Sequence, residues 1–181
     1  MGFLNVLKYP NKKLLQKSKA LKEVSRSIQD LARDMFETMY VEDGIGLAAP
    51  QIGENIRLIV VDVAKKDPID PDIREPDPVV LINPEILFSE GLIEFEESCL
   101  SCPDLAVWVE RKQKITVGYW NLDGKPCELI AEGLKSVCIQ HEIDHLNGIL
   151  LVDKVSRLEK DMYKKKRVRI IKDEKEFATV L

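Results

Sequence analysis

Apolar positions along this chain recur with two periods, one helical and one extended, and these divide it into elements. Ile28, Leu31, Ala32, Met35, Phe36 and Met39 fall one, three or four apart, with Arg26, Asp30, Arg33, Asp34 and Glu37 on the opposite face. That spacing predicts a helix with one face on a core. Ser25 or Ser27 supplies its N-cap and Gly44 its stop. Ahead of it, Pro10 breaks any early strand, and residues 11–16 read as a short helical turn. The β-branched run 57–64 predicts a buried strand, and 79–83 a second. Residues 85–97 predict a hairpin turning at Ser89-Glu90-Gly91. Its second arm alternates Leu92, Glu94 and Glu96 with Ile93, Phe95 and Glu97. Residues 106–110, 114–120 and 126–131 predict three more strands, the last two joined by an Asp123-Gly124 turn. Residues 65–78, with Pro68, Pro71, Pro76, Pro78 and several acids, predict a long polar surface loop, either idle or a lid.

A second helix starts at Leu134 and ends at Asn147-Gly148. Leu134, Val137, Cys138, His141 and His145 share one face of it, so both histidines point into the core. Ser156-Arg157-Leu158-Glu159 is a capping box for a last helix, on which Leu158 and Met162 are expected to pack against the body. Lys164, Lys165, Lys166, Arg167 and Arg169 then form a basic run. It is either a solvated face near a helix C-terminus or a contact with an acidic partner such as the RNA of a ribosome.

Composition narrows the class. A chain of 181 residues with 45% apolar content can fill one core. We divide it into 1–155, the main domain, and 156–181, a C-terminal helix and tail of the same domain. A net charge of −4 argues against general nucleic-acid binding. No run is long and apolar enough to span a membrane. The N-terminus lacks the apolar stretch and cleavage site of a signal peptide, and Val6 stands where a myristoylation signal needs Ser or Thr. The expectation is a soluble, cytoplasmic protein. In that setting Cys99, Cys102, Cys127 and Cys138 are better assigned to metal binding, catalysis or burial than to disulfides.

The two histidines of the chain both lie in Gln140-His141-Glu142-Ile143-Asp144-His145. On a helix they stand one turn apart, with Cβ atoms about 5–6 Å from each other. Two imidazoles so placed can hold one metal ion, and Glu142 beside it can take a proton from water. The third ligand must then be a cysteine or a carboxylate, and three arrangements are open. Cys99 alone makes a Cys/His/His set with a free fourth position, the pattern of a catalytic site. Cys99 with Cys102 makes a closed, structural Cys₂His₂ site, which leaves Glu142 without a task and staples a domain whose core needs no staple. A downstream carboxylate, of which Glu159 is the nearest on the last helix, makes the set of a zinc peptidase. Upstream, the small-residue stretch from Gly44 to Gly53 places the amide of Gln51 in an apolar loop. It is either a donor for a developing oxyanion or only a helix cap and connection.

Three motifs in order resemble the peptide deformylase family: Gly44-Ile45-Gly46-Leu47-Ala48-Ala49-Pro50-Gln51, Glu97-Ser98-Cys99-Leu100-Ser101, and Gln140-His141-Glu142-Ile143-Asp144-His145. The resemblance covers the chain from near residue 1 to about 155. It implies an α+β fold, with antiparallel β-sheets around a central metal-binding helix, an N-terminal helix and a C-terminal helix. It implies hydrolysis of the N-formyl group from the formylmethionine of newly made polypeptides, with release of formate. By position, Cys99, His141 and His145 would bind the metal, commonly Fe²⁺, with Zn²⁺, Ni²⁺ or Co²⁺ able to substitute. Glu142 would be the acid/base, and Gln51 with the Leu100 N–H would hold the oxyanion. The peptide would lie extended beside Ile45, Gly46 and the segment at Glu97, with its methionine among Val137, Cys138 and neighbours. A thiolate ligand on Fe²⁺ also implies oxidative inactivation. The chain departs from the family pattern at Ser98, usually glycine, and at Cys102, usually aliphatic. Near Ala106 it also lacks an arginine often found there. That last departure predicts a weaker hold on the far end of the substrate. Arg111 is expected to pair with Asp144 and brace the helix.

Overall fold

The computed structural model describes residues 2–66 and 74–180, with side chains described over 2–64 and 75–173. A five-stranded antiparallel sheet forms the frame. Its strands are β1 (Gly46–Ala48), β2 (Leu58–Asp62), β5 (Pro78–Glu90), β8 (Lys114–Trp120) and β9 (Pro126–Glu132), in the order β1-β2-β5-β8-β9. Two ribbons stand apart from it: β3 (Lys65–Lys66) with β4 (Arg74–Glu75), and β6 (Ile93–Ser98) with β7 (Ala106–Arg111).

Strand β2, second in that order, shows why the sequence reads as it does. Leu58, Ile59, Val60 and Val61 are all fully buried. Leu58 and Val60 face α1 (Arg26–Val41) and pack with Met35, Met39 and Ala32. Ile59 and Val61 face α2 (Gly133–Leu146) and pack with Cys138, Ile139, Ile143 and Leu146. A strand covered on both faces is continuously apolar, not alternating. The predicted α1 is present, closed by a Gly44 N–H donated to Met39 O (2.8 Å); Ser25 stands at its N-cap position, but its hydroxyl pairs with that of Ser27 and makes no capping bond. So are β7, β8, β9 and α2. Because the sheet covers one side of α2 and other segments the rest, nearly the whole helix is buried, including Glu142 and His145.

Two expectations fail, each for a tertiary reason, and a third falls largely outside the described residues. Residues 79–83 and 85–90 are one strand, β5, and not a strand followed by a hairpin arm. Its register slips between Ile82 and Glu85, where Asn83 has φ 52° and Pro84, without an N–H, sits in the bulge. The chain then turns at Gly91 into β6, which pairs with β7 and not with β5. Residues 65–78 are a short ribbon at both ends, and the lid question falls on 67–73, outside the described residues. Finally, α3 (Arg157–Val180) is capped as predicted, with the Ser156 N–H donated to Glu159 Oε2 at 3.0 Å. Yet Leu158 and Met162 are 70% and 62% exposed. The helix docks instead through Tyr163, which stacks on Tyr9 and donates its hydroxyl to Pro103 O, and through buried Arg167, which donates to Tyr9 O.

Candidate active site

The floor of the site is α2. His141 and His145 stand on its inner side, and β6 ends on the other wall with Cys99. Among the described residues, the ligand atoms of Cys99, His141 and His145 lie within 4.8 Å of one another, and Cys99 Sγ is 3.2 Å from His145 Nε2. A tetrahedral site with bonds of about 2.0–2.3 Å holds its ligand atoms roughly 3.3–3.6 Å apart, so the cluster needs only a small contraction around an ion. Cys102 and Glu159 lie outside this cluster, and Glu159 is engaged in capping α3. Of the three arrangements, the side chains assemble the Cys99/His141/His145 set.

His141 is held from behind, whereas the buried Nδ1 of His145 has no hydrogen-bond partner among the described residues. Glu97 Oε2 meets His141 Nδ1 at 2.8 Å, which leaves Nε2 for the cluster. Arg111 clamps Glu97 with two bonds, Nε to Oε1 at 2.7 Å and Nη2 to Oε2 at 2.9 Å. Its remaining arm reaches Asp144 on α2 at 2.7 Å, and Lys154 joins that carboxylate at 3.1 Å. The expected Arg111–Asp144 brace is therefore present and continues to His141. Burial acts to raise the Glu97 pKa, but the hydrogen bonds from Arg111 and His141 outweigh it and hold the group at about 2. Gln140 donates to Lys112 O at 2.8 Å and accepts from Lys112 N at 3.0 Å, which fastens α2 to the end of β7.

Glu142 lies beside the cluster, 4% exposed, and its Oε2 has no hydrogen-bond partner. Burial pushes this carboxyl up to about 7, with His141 opposing. A carboxyl poised there can accept a proton and return it near neutral pH. Gly46 packs directly on it. A Cβ at Gly46 would come within 2.6 Å of Glu142 Oε1 and 2.8 Å of Cys138 Sγ. Gly46→Ala is therefore expected to displace Glu142 and lower turnover at least tenfold, with the melting transition nearly unchanged. Steady-state rates beside a thermal melt check this.

The Gln51 amide is fixed by its oxygen, which accepts from Ala48 N–H at 2.7 Å, and by Nε2, which donates to Ser101 Oγ at 3.2 Å. Nε2 also faces Cys99 Sγ at 3.9 Å, so one amide hydrogen points toward the cluster. The Leu100 N–H donates to no group among the described residues, while Lys8 Nζ holds the Leu100 carbonyl at 2.9 Å. A cavity of about 270 Å³ opens above these groups, lined by Ile45, Phe95, Leu134, Val137 and Cys138 at its apolar end. Two open strand edges flank it: β1 ends the main sheet, and β6 has β7 as its one partner among the described strands. Ser98 is exposed at this rim, and no Lys or Arg lines the cavity among the described residues.

Sequence reasoning missed two contributors. Glu97 was expected at the peptide, but its carboxylate is turned to His141 and Arg111. The signal was available: Glu97 shares the inward side of β6 with Ile93 and Phe95, and an acid there needs a partner. Ser101, which orients Gln51, carried no such signal.

A buried Cys/His/His cluster with an unpartnered carboxylate beside it, below a groove between open strand edges, defines a metal-dependent hydrolase of α+β fold. The chain belongs to the polypeptide deformylase family, whose family model matches residues 3–161. It is 48% identical to a peptide deformylase of Bradyrhizobium diazoefficiens over 92% of this chain and 95% of that one. A peptide deformylase of Mesorhizobium japonicum is also 48% identical, over 91% and 90%. The crystal structure of a peptide deformylase from Legionella pneumophila superposes with a TM-score of 0.81 at 40% identity, covering 96% of this chain and 98% of that one. One from Ehrlichia chaffeensis in complex with actinonin gives 0.84 at 34% identity, covering 93% and 98%.

Proposed function

We propose that this chain is a peptide deformylase that hydrolyses the N-formyl group of formylmethionyl nascent peptides and releases formate. The observation that carries this reading is the orphaned, buried Glu142 carboxyl beside the Cys99/His141/His145 cluster. Those three residues would hold the metal. One thiolate and two imidazoles suit Fe²⁺, the expected cellular ion, and accept Zn²⁺, Ni²⁺ or Co²⁺. Bound there, the metal would supply Lewis-acid polarisation and lower the pKa of water.

The chain's own groups do the rest. Glu142 takes the proton of the attacking water and later delivers it to the departing amine. Gln51 Nε2 and the Leu100 N–H donate to the oxyanion that forms on the formyl carbon. Backbone at Ile45, Gly46 and Glu97 lines the peptide along the two strand edges, and Val137, Cys138 and Leu134 receive the methionine side chain. Residues 1–155 carry this machinery, and 156–181 belong to the same domain. No described helix is long and apolar enough to cross a membrane, and the proposed place of action is the cytoplasm, where nascent chains emerge. A contact with the ribosome would use the outer face of α3. Leu158, Met162, Lys165, Lys166 and Arg169 are exposed there, while Arg167 is turned inward.

Formate release from a formyl-Met peptide by protein prepared without oxygen tests the reading. Turnover is expected with one metal per chain, is lost on chelation, and returns on adding Fe²⁺ or Ni²⁺. One tightly held zinc with no turnover after exchange would point to a structural site. In the same assay, the absence of a cation at Ala106 predicts less gain from lengthening the peptide than relatives that carry arginine there. An equal gain would remove that expectation.

A further inference from the structure

We propose that Cys102 is a resolving cysteine for Cys99: a hydroperoxide oxidises the Cys99 thiolate, and Cys102 captures it as a reversible Cys99–Cys102 disulfide. The backbone already has the span. The Cys102 N–H donates to Cys99 O at 2.9 Å, a turn in which the two Cα atoms lie within about 7 Å. A disulfide takes roughly 4.4–6.8 Å. Both residues line the active-site cavity, so a small oxidant entering it meets them together. The other cysteines are committed elsewhere. Cys138 donates to Ile45 O beneath Gly46, and Cys127 on β9 donates to Lys125 O. Cys102 stands outside the ligand cluster and has no part in the hydrolysis. A buried apolar residue would fill its place equally well, so its thiol is the feature left to explain.

The chemistry balances with hydrogen peroxide as the oxidant. The Cys99 thiolate attacks one peroxide oxygen, the O–O bond breaks, and Cys99 sulfenic acid and hydroxide result. The Cys102 sulfur then attacks the Cys99 sulfur. The S–S bond forms, and the sulfenic oxygen leaves as water with the Cys102 proton. Two thiols lose two electrons to one peroxide, and two equivalents of a small thiol reverse it. Without Cys102, a second peroxide takes the buried sulfenic acid to sulfinic acid, which thiols do not reduce. The disulfide sulfur is no longer a thiolate ligand, so closure also releases the metal.

Metal-loaded wild-type protein, Cys102→Ala and the near-isosteric Cys102→Ser are treated with hydrogen peroxide. Intact mass, peptide maps, and metal captured by a chromogenic chelator are then read. Wild type is expected to lose the mass of two hydrogens with a Cys99–Cys102 link. It should release its metal and regain both thiols with dithiothreitol. The variants are expected to gain two or three oxygens on Cys99 that dithiothreitol does not remove. Oxygens accumulating on wild-type Cys99 as fast as in the variants, or a link from Cys99 to Cys138 or to another chain, would overturn the proposal. The wild-type map decides this even if a variant folds poorly. None of these readouts requires turnover, so failure here is separable from failure of the deformylase reading.

Discussion

Replacing Glu142 with alanine is expected to reduce formate release by roughly 10²–10⁴-fold while the chain keeps its metal. Among the described residues, no other carboxylate stands unpartnered at the cluster. Glu97, the carboxylate beside His141, is fully occupied by Arg111 and His141. The variant should fold at least as well as the parent. Glu142 Oε2 has no hydrogen bond to lose, and burial, with smaller contributions from the Glu97 and Asp144 charges, pushes its carboxyl up to about 7, the mark of a group placed at a cost to stability. Three measurements separate the cases: formate release, metal content and the denaturation midpoint. Turnover within a few-fold of the parent with metal in place would mean that another group moves the proton. Loss of metal would mean that Glu142 supports the cluster itself. The isosteric Glu142→Gln should behave like the alanine variant, because it keeps the shape and lacks the base.

Glu97→Ala is expected to have the largest effect on stability. It removes both bonds that pair the buried Arg111 with Glu97 and leaves His141 Nδ1 without its partner. Breaking a buried pair from one side typically costs about 3–5 kcal/mol, and removing the partner of a metal-binding histidine about 10–100-fold in metal affinity. Asp144 remains on the third arm of Arg111, which places the stability loss toward the lower end. The effect also has a pH signature. The folded-state pKa of Glu97 is depressed to about 2 from 4.5, so its contribution is complete above 4.5 and fades as pH falls toward 2. Parent and variant stabilities should therefore converge in acid. Chemical denaturation across that range, with metal affinity measured at neutral pH, checks both parts. An unchanged affinity would show that His141 is oriented by the packing of α2 alone.

Most of the helices and strands were legible in the chain because their patterns are local. The α1 stripe, the doubly buried run of β2, the Asp123-Gly124 turn and the α3 capping box each depend on neighbours within a few residues. Much of the candidate site was legible for the same reason. His141, Glu142 and His145 occupy adjacent positions on one helix, and the three motifs that resemble the deformylase family are each contiguous. The errors share an opposite cause. Whether 85–90 turns back on itself or pairs with β8 depends on a strand more than twenty residues away, and a bulge at Asn83-Pro84 lets β5 run on. Leu158 and Met162 look like a docking face, but the helix is oriented by a ring stack on Tyr9, far away in the chain.

The choice of third ligand belongs to the same class of question. Local spacing leaves Cys99, Cys102 and Glu159 all open, because all three are metal-ligating types and none is next to the histidines; only the lack of a task for Glu142 in a closed site and the resemblance to the deformylase motifs favour Cys99 alone. Only the meeting of β6 with α2 brings one of them, Cys99, to His145, and the same meeting sets Glu97 on His141. Periodicity and contiguous motifs are properties of a few turns of chain and survive in the sequence. Pairing between β5 and β8, the docking of α3 and the closure of the Cys99 cluster come from burying separate apolar faces together, and nothing short of the folded chain carries that information.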